Sequence, residues 1–194
     1  MDMTETASTP FSDLDDYIAL PRVAGLAVSP DGSRVVTTVT ELNDKRTEYV
    51  SAVWEVDPTG ERPARRLTRG AKGESSPAFT ADGDVLFVAV RPTEDEDKPP
   101  AALWRLPAAG GEAVEALALP GGVEAVRTAR EAPVAVVRGP VLASAQNVDD
   151  DRRLRDLRKD NKITRHPAQR LSNSTLGLRP WARRAAPVRS RSSR

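Results

Sequence analysis

Along the first 145 positions apolar residues fall in short runs, and segments rich in glycine, proline or charge separate them. Val23–Val28 and Arg34–Thr40 are two such β-rich runs, joined through Pro30-Asp31-Gly32. Asp-Gly between hydrophobic runs predicts a hairpin, because the turn needs a positive φ that glycine adopts at little steric cost. Val50–Val56 predicts a third strand and Ala64–Thr68 a shorter, more polar fourth. Ser76–Thr80, Asp84–Val90, Ala101–Leu106 and Ala113–Leu119 then predict a second set of four. Within it, Val85-Leu86-Phe87-Val88-Ala89-Val90 is apolar without alternation, the pattern of a strand covered on both faces.

The two sets repeat each other at a spacing of about fifty residues. Ser29-Pro30-Asp31-Gly32-Ser33-Arg34-Val35-Val36 recurs as Thr80-Ala81-Asp82-Gly83-Asp84-Val85-Leu86-Phe87. Ala52-Val53-Trp54-Glu55-Val56 recurs as Ala102-Leu103-Trp104-Arg105-Leu106, and a glycine-bearing turn follows each, Asp57–Gly60 and Ala108–Gly111. Landmarks in one order at one period define an internal repeat, and a four-stranded unit of this length predicts a β-propeller blade. A third unit starts with Gly122–Thr128 and Pro133–Arg138, with Ala129-Arg130-Glu131-Ala132 in the place of Asp-Gly, and the β pattern stops beyond Ala145. The predicted fold is all-β: an incomplete propeller of about two and a half blades, where closed rings have about 4–8. Such an array is expected to leave an apolar face and strand edges uncovered.

Composition adds limits. The chain has no cysteine, which excludes disulfides and thiolate metal sites. No apolar run approaches the roughly 18 residues of a membrane span, and Met1–Phe11 lacks the basic start and apolar stretch of a signal peptide, so a soluble, cytoplasmic protein without membrane partners is expected. The net charge of +1 hides an asymmetry. Residues 165–194 hold eight arginines, no lysine and no acid, which leaves residues 1–164 with 21 basic against 28 acidic residues. Between body and tail, Asp149-Asp150-Asp151 precedes Arg152-Arg153-Leu154-Arg155-Asp156-Leu157-Arg158-Lys159-Asp160; acids first and bases later match a helix dipole and predict a short exposed helix. Its apolar stripe, Leu154 and Leu157 with Ile163, is too narrow to bind a membrane.

Over roughly residues 10–164 the chain resembles the amino-terminal part of the prolyl oligopeptidase family, especially acylaminoacyl-peptidases and dipeptidyl aminopeptidases. The resemblance rests on Phe11-Ser12-Asp13-Leu14-Asp15-Asp16-Tyr17-Ile18-Ala19-Leu20-Pro21, Leu26-Ala27-Val28-Ser29-Pro30-Asp31-Gly32, Arg65-Arg66-Leu67-Thr68 and Leu103-Trp104-Arg105-Leu106-Pro107-Ala108-Ala109-Gly110-Gly111. It implies an organisation in which residues 1–21 pack beside an α/β-hydrolase domain, 22–145 form part of a propeller, and 146–164 form a charged helical insertion. In that family the propeller caps the active site, admits peptides and excludes folded proteins. The serine, aspartate and histidine of catalysis lie in the hydrolase domain.

None of that catalytic set is present in this sequence. A nucleophile elbow needs G-x-S-x-G on a strand-to-helix turn; Gly73-Glu74-Ser75-Ser76-Pro77 comes nearest and lacks the last glycine. The one histidine, His166, lies in the tail. No catalytic, cofactor-binding or metal-binding residue is therefore assigned, no cofactor is expected, and the chain alone is expected not to hydrolyse peptides. Trp54 and Trp104, at matched repeat positions, read as core rather than as walls of a ligand pocket. Glu94-Asp95-Glu96-Asp97 lacks the alternating ligands and turn glycine of a calcium loop and reads as a solvated loop, as does Asn43–Glu48. Asn173-Ser174-Thr175 matches a glycosylation acceptor that has no secretory signal to use it.

Relatives in the family follow such a helix with a segment of the type A-I-L-H-x-G-Y-P-x-R-x-W-D-x-D-L-G-P. One permitted back-translation of residues 165–182, read one nucleotide later, gives A-I-L-H-S-G-Y-P-T-R-H-W-D-Y-D-L-G. A single-nucleotide frameshift near Thr164-Arg165 is thus expected, with 165–194 a disordered, out-of-frame tail that binds polyanions only nonspecifically. The sequence reading is a non-catalytic propeller fragment of a serine peptidase, whose partners are peptide substrates and a hydrolase domain. The alternative is a non-enzymatic propeller-type interaction protein whose basic tail binds nucleic acid or an acidic partner.

Overall fold

A computed structural model of the chain describes residue 11, residues 13–92 and 99–161, and the backbone of residues 172–178. The first sheet contains β1 (Arg22–Val28), β2 (Val35–Leu42), β3 (Tyr49–Val56) and β4 (Arg65–Arg66), antiparallel and in chain order. The second repeats that order with β5 (Glu74–Phe79), β6 (Val85–Ala89), β7 (Ala102–Leu106) and β8 (Val114–Leu117). The third contains β9 (Ala125–Thr128) and β10 (Ala135–Val141), with β11 (Ser172–Leu178) on the far side of β10. These are the predicted blades. The two Asp-Gly turns form as expected, with φ of +76° at Gly32 and +83° at Gly83. In both, the glycine N–H closes the turn, to Ser29 O at 2.9 Å and to Thr80 O at 3.0 Å.

Each blade has a leading face toward the blade before it and a trailing face toward the blade after it. Val36 and Val53 on the trailing face of the first blade pack against Phe79, Val85, Phe87 and Ala89 on the leading face of the second. Leu86, Val88 and Leu103, trailing, pack in turn against Val126, Ala135 and Val137 of the third. Successive residues of β6 therefore serve opposite interfaces, and all five are buried. Period-2 alternation is hidden there because both faces are apolar. Burying a Leu, Val or Phe side chain contributes about 1.5–3 kcal/mol, so the two inter-blade seams hold the array together.

The β pattern does not stop at Ala145 as the sequence predicts. Ser172–Leu178, inside the arginine-rich tail, pairs antiparallel with β10 from Val141↔Ser172 to Ala135↔Leu178. The open edge of β10 has backbone N–H and C=O groups to satisfy, and that requirement acts through the main chain, which leaves little mark on side-chain pattern. The other tail residues assigned to disorder lie outside the described residues.

Two helices flank the sheets. α1 (Leu14–Ala19) starts at Asp13, whose carboxylate accepts from Asp15 N at 2.8 Å. α2 (Val148–Asp160) starts at Asn147, whose side chain accepts from Asp150 N at 2.9 Å, and it spans the predicted charged segment. No described helix is long and apolar enough to cross a membrane.

Candidate functional site

Antiparallel order sends alternate connections to opposite rims of the array. One rim collects the first hairpin of each blade (29–34, 80–84 and 129–134) and the turns 57–60 and 107–111. The other collects the second connection of each blade: 43–48, 90–101, and the long excursion after β10 that contains α2.

Side chains close the first rim on itself. Asp31 accepts from Ser29 Oγ at 2.5 Å, from Ser33 Oγ at 2.7 Å and from Ser33 N at 3.1 Å. These bonds, the Ser29 hydroxyl foremost, pull its carboxyl down to about 2. Asp57 accepts from Thr59 N, Thr59 Oγ1 and Arg62 N at 3.1, 2.9 and 3.0 Å, and Thr59 leads in lowering it to about 2. Asp84 accepts from Ala108 N at 2.8 Å and pairs with Arg105 at 3.3 Å. Carboxylates committed in this way are turn locks. A groove of about 960 Å³ between the second and third hairpins carries Asp82, Asp84, Arg105 and Thr128 among apolar residues. Its Asp84 and Arg105 are paired with each other.

The second rim is the elaborated one. α1 is tied to it by Arg46 Nη2, donating to Asp15 O at 3.0 Å, and by Tyr49 Oη, donating to Ile18 O at 2.9 Å. Arg22 lies 4.3 Å from the Tyr49 ring centroid and donates to its hydroxyl at 2.9 Å. α2 is tied down by a carboxylate the sequence reading left in solvent. Asp151 is 1% exposed, and it accepts from Leu142 N and from Arg155 Nε, both at 2.8 Å. Arg155 also donates to Pro140 O at 3.1 Å. A side chain at Gly121 would collide with that carbonyl and with the Arg155 guanidinium. The helix is therefore held rigidly against the end of β10, not merely solvated. The triple acid marks a helix start; only the fold shows which of the three turns inward. Asp150 accepts from Arg153 at 2.7 Å and from Gln146 N at 3.1 Å, and the guanidinium contact leads in lowering its pKa.

Between the rims, the first strands of the blades line a groove of about 540 Å³ that contains Leu26, Val28, Ser76, Arg127 and Arg130. β1 and β5 break register at equivalent places, between Ala24 and Leu26 and between Ser75 and Ala78. Gly25 takes φ +64° at one break and Ser76 φ +54° at the other. A serine in the left-handed region is uncommon and re-aims its side chain. Here Ser76 Oγ accepts from Val126 N of the third blade at 3.3 Å.

The remaining sequence candidates resolve as follows. Trp104 lies opposite Phe87 and packs on the seam between the first two blades, as expected of core. The Arg91 guanidinium lies 4.1 Å from its ring centroid and 3.6 Å from Glu74, which is fully buried at the start of β5. Gly73–Pro77 is thus a strand entrance and not a nucleophile elbow. Trp54 is half-buried on the leading face of the first blade, opposite Thr37. Glu94–Asp97 and His166 lie outside the described residues, and Asn173–Thr175 lies within β11. Among the described residues no group of three or more His, Asp or Glu is placed to hold a metal ion.

No family model matches the sequence. The chain is similar to a Bacillus subtilis (strain 168) protein described as uncharacterized peptidase YuxL, 30% identical over 112 residues, which covers 56% of this chain and 16% of that protein. It spans less than a fifth of that relative's length. The AtxE2 isopeptidase shares the fold at a TM-score of 0.56 and 13% identity, over 88% of this chain and 30% of that one. The β-propeller domain of the trilobed protease from Pyrococcus furiosus aligns at a TM-score of 0.45 and 13% identity, over 61% of this chain and 34% of that one. The described residues form blades of an incomplete β-propeller, similar in fold to the AtxE2 isopeptidase and, over 112 residues, in sequence to a protein described as a peptidase.

Proposed function

We propose that these blades form the substrate-admitting part of a serine peptidase, with hydrolysis performed by an α/β-hydrolase domain that this sequence does not contain. The observation that carries the reading is the contrast between the rims. One is closed by aspartate-locked turns, while the other gathers α1 and α2 on fixed supports. Rigidly supported loops on one side of a scaffold are where binding and docking residues concentrate. A hydrolase domain set on this rim would receive peptides through the passage lined by the first strands. A flexible peptide passes a narrow opening and a folded domain does not, so selection is steric and needs no charged group in the wall. The blades contribute orientation and exclusion of water and bulk; the acyl transfer itself needs the nucleophile, general base and oxyanion donors of the other domain.

Two measurements test this. The chain alone, treated with a fluorophosphonate serine-hydrolase probe, is expected to remain unlabelled and to leave peptide p-nitroanilides intact; specific labelling would refute the non-catalytic reading. When residues 1–164 are supplied in the longer reading frame with the hydrolase domain, an unstructured peptide should be cleaved and the same segment within a folded protein spared. Equal cleavage of both would refute gating.

A further inference from the structure

Among the described residues, both halves of an inter-blade seam are present without their partners. On the leading face of the second blade, Phe79, Val85 and Phe87 are 4%, 1% and 0% exposed because the first blade covers them. On the leading face of the first blade, β1 leaves Val23, Leu26 and Val28 (the last in the place of Phe79) at 70%, 69% and 52% exposed, whereas Val35 and Thr37 of β2, in the places of Val85 and Phe87, are 9% and 3% exposed. Cross-strand register puts these three with Val39, Thr37 and Val35, and Thr37 with Trp54, so they form one continuous face. None of the described residues covers its β1 part, Val23, Leu26 and Val28. At the other end, Val136 of β10 stands where Val36 and Leu86 stand in the earlier blades. Those two are fully buried by the next blade, whereas Val136 and its neighbour Val134 are each 39% exposed. Arg127 lies directly opposite Val136 in the register and is exposed.

We propose that two copies of this chain associate head to tail, the trailing face of the third blade of each seating on the leading face of the first blade of the other. The occupant follows from continuity. The same trailing-on-leading contact is made twice within the chain, with valine or leucine at the Val136 position each time. The third repeat of that contact has its two halves at opposite ends of one molecule. Three blades from each copy make a ring of six, within the range of about 4–8 blades that close. Two identical contacts related by a two-fold axis also end the assembly, whereas an unclosed head-to-tail contact would run on as a filament. Such a dimer would form whether or not the chain belongs to a peptidase, since only its own surfaces take part.

Sedimentation equilibrium on the complete chain tests it. The expected species is a dimer at twice the 21.0 kDa of one chain. Leu26→Asp and Val136→Asp each change an exposed residue, so circular dichroism should be unaltered. Each should weaken dimerisation by more than about tenfold. A mixture of the two variants retains one intact contact between unlike copies and should recover heterodimer, which neither variant forms alone. Hydrogen exchange across residues 22–28 should slow as protein concentration rises. A monomer at all concentrations overturns the proposal, including one in which 22–28 are already protected, because then another part of the same chain covers the face. Open-ended polymers also overturn it, since the ring would not have closed. Dimers insensitive to both substitutions, with circular dichroism unchanged, place the interface elsewhere and overturn it as well.

Discussion

Replacing Asp151 with alanine tests whether α2 is a fixed part of the second rim. The native carboxylate is 1% exposed and accepts two bonds at 2.8 Å, one from the buried Leu142 N–H and one from Arg155. A hydrogen bond to a charged group contributes about 1.5–3 kcal/mol, and a buried amide left without a partner costs about 1–3 kcal/mol. The two figures overlap, because both count the same carboxylate. Removing one partner of a fully buried ion pair costs about 3–5 kcal/mol, but the Arg155 side chain is 30% exposed and can turn to water. A loss of about 2–4 kcal/mol results, a large share of the roughly 5–15 kcal/mol that holds a domain folded. Urea denaturation at one fixed protein concentration measures it, with Asp156→Ala on the exposed side of the same helix as the control. Arg155→Met should also destabilise, and the double variant should cost less than the sum, since the two singles break one network. Native-state exchange gives the local readout: the Leu142 amide should lose protection in Asp151→Ala. If Asp151→Ala behaves like Asp156→Ala and Leu142 exchanges at its native rate, the helix is not held by this carboxylate and the argument for a rigid rim fails.

Other expectations follow from the seams and turns. Leu86→Ala, at a fully buried position between the second and third blades, should cost about 2–5 kcal/mol in the same urea assay, and a loss under about 1 kcal/mol would mean the seam is not packed. Asp31 and Asp57 are held near 2 in the folded chain against an ordinary 3.8, so their contribution is complete above about pH 4 and is lost as pH falls toward 2. Glu55 adds to this: burial raises its pKa, but the Arg34 and Arg65 guanidiniums at 2.6 Å outweigh burial and hold it below 4.5. An Asp31→Asn, Asp57→Asn double variant should accordingly show a flatter fall in stability between pH 4 and 2 than the parent, and an unchanged profile would remove these turns from the acid response. At Ser76 the left-handed backbone makes Ser76→Val more destabilising than Ser76→Ala, while Ser76→Gly relieves the strain; thermal denaturation in the order Gly, Ala, Val from most to least stable is expected, and the reverse order would deny the strained φ.

The repeat was legible because it is written in side chains. Asp-Gly, the apolar strand and the tryptophan recur at one spacing, and each has a local reason to be where it is. What the sequence hid is written elsewhere. β11 exists through main-chain pairing with β10, and its polar residues give no period to detect. Asp151 is one of three consecutive aspartates, and which of them faces inward depends on the closeness of Gly121 and Pro140, some 30 and 11 residues away in sequence. Ser76 adopts a glycine-like φ because it occupies the place of Gly25 in the preceding repeat, a correspondence visible only once the hairpins are in register. The rims themselves emerge from strand direction, not from any residue.

The burial of Asp151 bears on where function lies. A charged helix between two strands would be tolerated as a loose, solvated insertion, and the exposed Arg152, Arg153 and Lys159 would keep it soluble without any tertiary tie. Taking a carboxylate out of water is costly, and replacing such a pair with apolar residues often leaves stability unchanged or improved. What a hydrogen-bonded pair adds is a single orientation. Fixing α2 this way is of use only if the surface that it presents must be in one place. α1, clamped by Arg46 and Tyr49 on the same rim, is fixed by different residues to the same end. Among the described residues the opposite rim holds no helix; Asp31 and Asp57 close their own turns, and Asp84 joins its hairpin to the turn at Ala108 of the same blade. Two independent clamps on one side of a repeating scaffold are what the proposed function asks of the rim that would receive a hydrolase domain.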